Sequence, residues 1–312
     1  MRVLDSIDEQ AIGELTGRGE FFWLDVVEPS EEDVERLAKR FGWHELAVED
    51  TRNFGQRPKL DSYGDQMLLV FYGAVQEGSE EQVKLIEVHL LVSGDWVVTV
   101  RRDPCTELDA LRKRLGEDTG QSEQFVVYRI LDVLTDSFFP VLSAIDDAID
   151  ELEDAIVLQP DDAQLQRLFH LKRRLVTLRR IVTPQRDLAA RTIDEIADLP
   201  GLEPGTRDYF RDVYDHLIRV SDMVDSYRDL LTSAMDVYLS TVSNRLNTVM
   251  KQLTVVATIF LPITALTGFF GQNFGFLVLH IRGETAFYLY GVGGIVLSCV
   301  LLFAWFRRSH FL

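Results

Sequence analysis

Two uncharged runs decide the architecture: LTVVATIFLPITALTGFF at residues 253–270 and AFYLYGVGGIVLSCVLLFAWF at residues 286–306. Neither contains Asp, Glu, Lys, Arg or His across its 18 and 21 residues, respectively. As an α-helix rising 1.5 Å per residue, the longer run covers roughly 30 Å, the thickness of a bilayer's hydrocarbon core. Core helices of soluble proteins rarely stay uncharged for more than five turns, so two transmembrane helices are predicted at the C-terminal end. Arg245 and Lys251 precede the first run, and Arg307 and Arg308 follow the second. Positive flanks mark the cytoplasmic side, which places both ends of this helical pair, and hence both chain termini, in the cytoplasm.

Upstream of Leu253 the helical pattern continues. After Pro204-Gly205 there is neither Pro nor Gly until Pro262, and apolar residues recur at Phe210, Val213, Leu217, Val220, Val224, Leu230 and Leu231. One helix from about Thr206 to Gly268 is expected, on the order of 90 Å long. Further upstream, Val126 to Leu158 and Ala163 to Val182 carry apolar positions at i, i+3, i+4 and i+7 and predict an antiparallel pair, the second helix stopping before Pro184. Within the first hundred residues, Phe21 to Val26 is a strand. Ser30, with the acids that follow it, opens a helix running to about Phe41. Gln66–Val75, Leu85–Val92 and Trp96–Val100 read as neighbouring antiparallel strands.

The expected fold is an α+β cytoplasmic domain, a small sheet with helices, plus a long stalk helix and two C-terminal transmembrane helices. Its segments are an α/β domain at 1–125, a helical hairpin at 126–205, a stalk at 206–252, a first span at 253–270, an external loop at 271–285, a second span at 286–306 and a basic tail at 307–312. Met1 to Gln10 opens with acids where a signal peptide would be apolar, so the large domain is expected inside the cell. Two cysteines, Cys105 and Cys299, support neither a disulfide framework nor a structural zinc site. The net charge of −18 argues against a nucleic-acid partner, which needs clustered Lys and Arg, and the acids point towards cations. Neither a phosphate-loop motif nor a metalloenzyme motif such as H-E-x-x-H or C-x-x-C occurs, so no nucleotide partner and no enzyme activity are expected.

Along the first span, Met250, Leu253, Ala257, Leu261, Thr264 and Gly268 recur at steps of three and four and share one face. Wider side chains, among them Val255, Val256, Ile259, Phe260 and Ile263, project elsewhere. A ring of such helices would turn the slimmer stripe towards its axis, either lining a water-filled pore or packing shut as a coiled-coil seam. Pro262 frees a carbonyl inside the span, which in lipid needs a neighbour or water to satisfy it and so favours a wet interior. Gly268 and Gly271 permit a turn after the span, and Gln272 and Asn273 follow it. The neutral Asn273 amide suits Mg²⁺, which sheds water reluctantly and is readily held through its own hydration shell.

On these residues the chain resembles the CorA magnesium-transporter family in its two-span, Gly-x-Asn form. The resemblance is densest from Asp236 to Phe274. It extends to Val48-Glu49-Asp50 with Gln56-Arg57-Pro58-Lys59, to Tyr209-Phe210-Arg211-Asp212-Val213-Tyr214-Asp215-His216, and to Arg307-Arg308. It implies a funnel-shaped homopentamer in the inner membrane of the cell, with the first spans around the pore and the second spans facing lipid. Its cargo would be Mg²⁺, with Co²⁺ and Ni²⁺ also able to permeate. Gly271, Gln272 and Asn273 would form the selective entrance. Asn247, Met250, Leu253, Ala257, Leu261, Thr264 and Gly268 would line the pore, with a hydrophobic constriction near Met250 and Leu253. The resemblance further implies regulatory divalent ions held between subunits by Glu49, Asp50, Asp132 and Asp212. Two departures leave selectivity open. Gln272 stands where the family has Met, and the loop from Phe274 to Thr285 lacks the family's Met-Pro-Glu stretch, carrying Glu284 beside Arg282 and adding His280. Zinc transport, proton-coupled or not, and a non-conducting metal-sensing scaffold therefore remain alternatives.

Overall fold

The computed structural model describes residues 1–77, 83–117, 123–197, 207–272, 274–281 and 283–308. They form two compact units, Met1–Tyr238 and Leu239–Leu312. The first begins with β1 (Arg2–Leu4), α1 (Glu9–Arg18), β2 (Phe22–Val27), α2 (Glu31–Phe41) and α3 (Glu45–Arg52). Strands β3 (Lys59–Tyr63), β4 (Gln66–Gln76), β5 (Val83–Ser93) and β6 (Trp96–Arg101) follow, and then helices α4 (Thr106–Glu117), α5 (Glu123–Asp136), α6 (Phe138–Leu158) and α7 (Asp162–Ala197). Helix α8 (Arg207–Phe270) contributes its beginning to this unit and its end to the other.

The strands form one six-stranded sheet in the order β1-β2-β6-β5-β4-β3. Strands β3 to β6 are antiparallel, which meets the expectation for β4, β5 and β6 and adds β3 at the edge. β2 joins parallel to both β1 and β6. Residues Ile86–Val92 and Trp96–Arg101 are buried without alternation, the pattern of strands covered on both faces. One core cluster packs Phe71, Val88 and Leu90 of the sheet with Leu108 and Leu111 of α4, Ile130 and Leu134 of α5, and Phe210, Val213 and Leu217 of α8. That packing sets the first turns of α8 beside α5. At the start of α2 the predicted cap is present: the Ser30 hydroxyl accepts from the Asp33 N–H while the Asp33 carboxylate accepts from the Ser30 N–H.

Two helix expectations need correction, and one strand edge explains both. β3 accompanies β4 only as far as Val70, which leaves the next stretch of β4 without a strand neighbour on that side. There the Gln185 side chain of α7 accepts from the Tyr72 N–H at 2.8 Å and donates to the Tyr72 carbonyl at 3.0 Å. Ser137 Oγ accepts from the Ala74 N–H at 2.9 Å and donates to the Leu134 carbonyl at 2.6 Å. The single helix expected over 126–158 is therefore interrupted at Ser137, between α5 and α6. The helix expected to stop before Pro184 continues to Ala197. A proline inside a helix costs about 3 kcal/mol, and the two hydrogen bonds of its buried neighbour Gln185 offset part of that. Gln185 and Ser137 together satisfy backbone groups of a strand edge that would otherwise stay open.

In the second unit α8 ends at Phe270 and is followed by α9 (Gly275–His280), α10 (Glu284–Ala286), a π-helical turn (Phe287–Val292) and α11 (Gly293–Arg308). The uninterrupted helix Arg207–Phe270 matches the expected 206–268 closely. The second run is also helical, from Glu284 to Arg308, but it is not uniform, because the π-helical turn occupies its first third. Both α8 and Glu284–Arg308 are long and apolar enough to cross a membrane by length and composition.

Candidate cation site and membrane-spanning segment

Four of the polar residues between α5 and α8 come as two i,i+4 pairs. On α5 these are Asp132 and Asp136; on α8 they are Asp212 and His216. Residues four apart lie one above the other on a helix face, so two adjacent helices can bring four donors together. Asp132, Asp212 and His216 each offer a ligand atom, and these atoms lie within 4.8 Å of one another. His216 Nδ1 sits 2.9 Å from Asp136 Oδ1 and 3.9 Å from Asp132 Oδ1, and its Nε2 is 3.9 Å from Asp212 Oδ1. The Tyr128 hydroxyl donates to Asp212 Oδ2 at 3.4 Å.

The electrostatics suit a cation. The Asp132 side chain is only 10% exposed, and burial, followed by the charge of Asp136, pushes its carboxyl above the usual aspartate range. Arg129 pulls the other way, its Nη1 lying 3.1 Å from Asp132 Oδ2. Oδ2 is thus occupied by Arg129, while Oδ1 faces His216. A divalent ion held by Asp132, Asp212 and His216 would offset the burial and like-charge repulsion that make the ionised form of Asp132 unfavourable. Carboxylate and imidazole donors together suit Mg²⁺ less well than Co²⁺, Ni²⁺ or Zn²⁺, because imidazole is the softer ligand.

Of the four regulatory acids named from the sequence, Asp132 and Asp212 are brought together. Glu49 and Asp50 lie on α3 and, among the described residues, do not join that cluster. Asp50 Oδ2 is 2.6 Å from Lys59 Nζ, which also reaches Asp61. Glu49 lines a shallow pocket with Glu31, Glu45 and Arg52. The sequence reading overlooked His216 and Asp136 as donors, although the two i,i+4 spacings were visible.

On the first span all seven predicted pore residues, Asn247, Met250, Leu253, Ala257, Leu261, Thr264 and Gly268, are exposed. Val255, Ile259, Pro262, Ile263 and Leu266 are half-buried, and Leu266 reaches Gly294 of α11. The face turned to the second span is therefore a different one from the slim stripe. The Thr264 hydroxyl donates to the Phe260 carbonyl at 2.9 Å, which uses its proton and leaves its lone pairs outward. At the end of α8 the Gly271 N–H donates to the Thr267 carbonyl at 2.9 Å, and a Cβ on Gly271 would stand 3.0 Å from that oxygen. Neither Gly268 nor Gly271 takes a positive φ, so the chain leaves the helix without the backbone freedom expected of the two glycines. Gln272 follows, its N–H donating to the Phe269 carbonyl. Asn273 falls outside the described residues.

A family model described as CorA-like Mg²⁺ transporter protein matches residues 18–308. The chain belongs to the CorA family. Among its relatives is the cobalt/magnesium transport protein CorA of Thermotoga maritima, 32% identical, covering 93% of this chain and 83% of that protein. The zinc transport protein ZntB of an Enterobacter species is 27% identical over 82% of this chain and 77% of its own length. The complete structure of the CorA magnesium transporter from Methanocaldococcus jannaschii superposes with a TM-score of 0.80 at 25% identity, covering 93% of this chain and 91% of that one. The resemblance read from the sequence is thereby established. This CorA-family chain is a membrane transporter, and its two long apolar helices are the membrane-spanning segments. Families of this kind are transporters and channels rather than enzymes.

Proposed function

We propose that the chain is one subunit of a homopentameric channel in the inner cell membrane that admits Mg²⁺ passively, with Co²⁺ and Ni²⁺ as secondary cargo. The observation that carries this reading is the uncharged stripe from Asn247 to Gly268, exposed along α8 and distinct from the face that meets α11. Copies of α8 arranged about an axis would turn that stripe inward. Thr264 oxygens would then meet water in the pore, while Met250 and Leu253 form an apolar narrowing that shuts by dewetting. Gly271, Gln272 and the Asn273 amide would hold the hydrated ion at the entrance. An inside-negative potential of 100 mV supplies about 4.6 kcal/mol for a doubly charged ion, so no nucleotide hydrolysis is required.

Feedback belongs to the same proposal. Asp132 and Asp212, joined by His216, would bind a cytosolic divalent ion, and Glu49 and Asp50 of a neighbouring copy would complete the tie between subunits. Loss of that ion when cytosolic Mg²⁺ falls would leave like charges facing one another and free the pore to open. Zinc is the second reading, favoured by the ZntB relative and by the imidazole in the cluster.

Isotope uptake into liposomes containing the purified chain tests both readings, with Mg²⁺ and Zn²⁺ compared at several pH values and Asn273→Ala as control. Saturable Mg²⁺ entry that Asn273→Ala reduces supports the first. Zinc entry without magnesium entry replaces it with the second, and no flux of either ion would leave the chain a metal-sensing scaffold. Conversion of Asp50 and Asp212 together to Ala should weaken the protection against proteolysis that Mg²⁺ gives; unchanged protection refutes the feedback reading.

A further inference from the structure

A second polar site lies in the first unit, away from the acidic cluster. It is a cleft of about 640 Å³ between the loop after α3, the ends of β5 and β6, and one face of α7. Arg57, Arg102 and Arg180 line it together with Glu87 and Asp103. Both acids are already engaged. Glu87 accepts from the Gly55 N–H at 2.5 Å and the Gln56 N–H at 3.0 Å, and its Oε1 lies 2.8 Å from His89 Nε2. Asp103 Oδ1 lies 2.7 Å from Lys84 Nζ.

The arginines are not engaged in the same way. Arg102 donates to the Arg52 carbonyl, and its guanidinium rests 4.5 Å from the ring centre of Phe54. The Phe54 ring also stacks on the buried His89. Among the described residues, no carboxylate lies within salt-bridge distance of Arg57 or Arg180. In a chain of net charge −18, this cleft presents three guanidiniums with no free acid among its lining residues. The wall contributed by α7 adds an acceptor, because Pro184 has no N–H and leaves the Arg180 carbonyl without its helical donor.

We infer that this cleft binds a multiply charged phosphate-class anion, either an inorganic polyphosphate or a nucleoside polyphosphate. Guanidinium forks match phosphate oxygens in pairs, and the volume falls in the range of small-molecule sites. A nucleotide base could also give an N–H to the Arg180 carbonyl, which a bare polyphosphate cannot. No phosphate-loop motif encodes the site because its walls come from residues 54–57, 85–103 and 177–184, which only the fold brings together. The inference stands independently of the transport reading.

The test is calorimetric titration of the detergent-solubilised full chain with sodium tripolyphosphate and, separately, with ATP, both in excess EDTA. Saturable binding is expected, weakened at least tenfold in Arg57→Gln/Arg180→Gln and abolished by Thr177→Glu, which adds a carboxylate to the wall and removes no guanidinium. Arg18→Gln, an exposed arginine on α1, should leave the affinity unchanged. Tighter binding of ATP than of tripolyphosphate identifies the nucleoside form, and equal binding identifies the inorganic one. Absence of saturable binding overturns the inference. So does an equal loss in Arg18→Gln, or wild-type affinity in both cleft variants once their melting profiles show them folded.

Discussion

Replacing Asp132 by Asn should reverse the sign of its effect on stability depending on whether a divalent ion is present. Asp132 is almost fully buried, its charge is disfavoured by burial, then by Asp136 and more weakly by Asp212, and ligand atoms of Asp132, Asp212 and His216 lie within 4.8 Å of one another. Two unit charges at that distance repel by about 3.5 kcal/mol at an effective dielectric near 20. Asp212 is 51% exposed, so solvent screening reduces this to about 1–2 kcal/mol. Asn fills the same space and removes the repulsion, at the cost of a partly exposed ion pair with Arg129 worth about 0.5 kcal/mol. In EDTA the variant should therefore be more stable than the parent by about 1 kcal/mol, a rise in melting temperature of about 2–4 °C for a unit of this size. In Mg²⁺ at a hundredfold excess over its dissociation constant the parent gains about 2.7 kcal/mol. The variant should gain less than a third of that. Differential scanning fluorimetry in detergent, with and without Mg²⁺, reads both quantities, and the order of the two melting temperatures should invert on adding the ion. A variant that melts lower in EDTA and keeps the full Mg²⁺ increment would refute the reasoning.

Gly73 lies where an added Cβ would stand 2.8 Å from Ser137 Oγ and 2.9 Å from Leu134 Cδ2, so Gly73→Ala should cost about 1–3 kcal/mol in chemical denaturation. Burial pushes the Glu87 carboxyl up, but hydrogen bonds from His89, Gly55 and Gln56 outweigh it and hold the group below the ordinary glutamate value. That stabilisation is present above about pH 4.5 and is lost as acidification passes through the lower folded value, so Glu87→Gln should flatten the acid limb of the stability curve. Leu253→Asn should wet the proposed narrowing and raise Mg²⁺ uptake into liposomes several-fold; unaltered uptake would remove Leu253 from the gate.

The helices of the membrane segment and stalk were legible because their signals are local and long. An absence of charge over some twenty residues and an absence of Pro and Gly over more than fifty leave little room for another reading. The central strands were legible from their Val, Leu and Ile runs and the turns between them. β1 and β3 were not, since three and five residues carry too little pattern, and β2 finds β6 only across a long intervening stretch, Glu28 to Asp95. The interruption at Ser137 and the passage through Pro184 were illegible for a different reason. Each is set by a hydrogen bond to the open edge of β4, which propensity along a single helix cannot report. The acidic residues Asp132 and Asp212 came from family resemblance, whereas His216 needed only the observation that it stands four residues after Asp212.

The π-helical turn at Phe287–Val292 makes the second span unusually tolerant of one kind of length change. Elsewhere in a helix, deleting a single residue swings everything beyond it by about 100° and drags the following segment along by one step. A π turn already holds one residue more than a regular α turn, so a deletion there tightens it into ordinary helix while Gly293–Arg308 keeps its facing. Descendants of this sequence can therefore lose one residue between Phe287 and Val292 and still present the same side chains to the same neighbours, whereas an equal loss within α11 would scramble them.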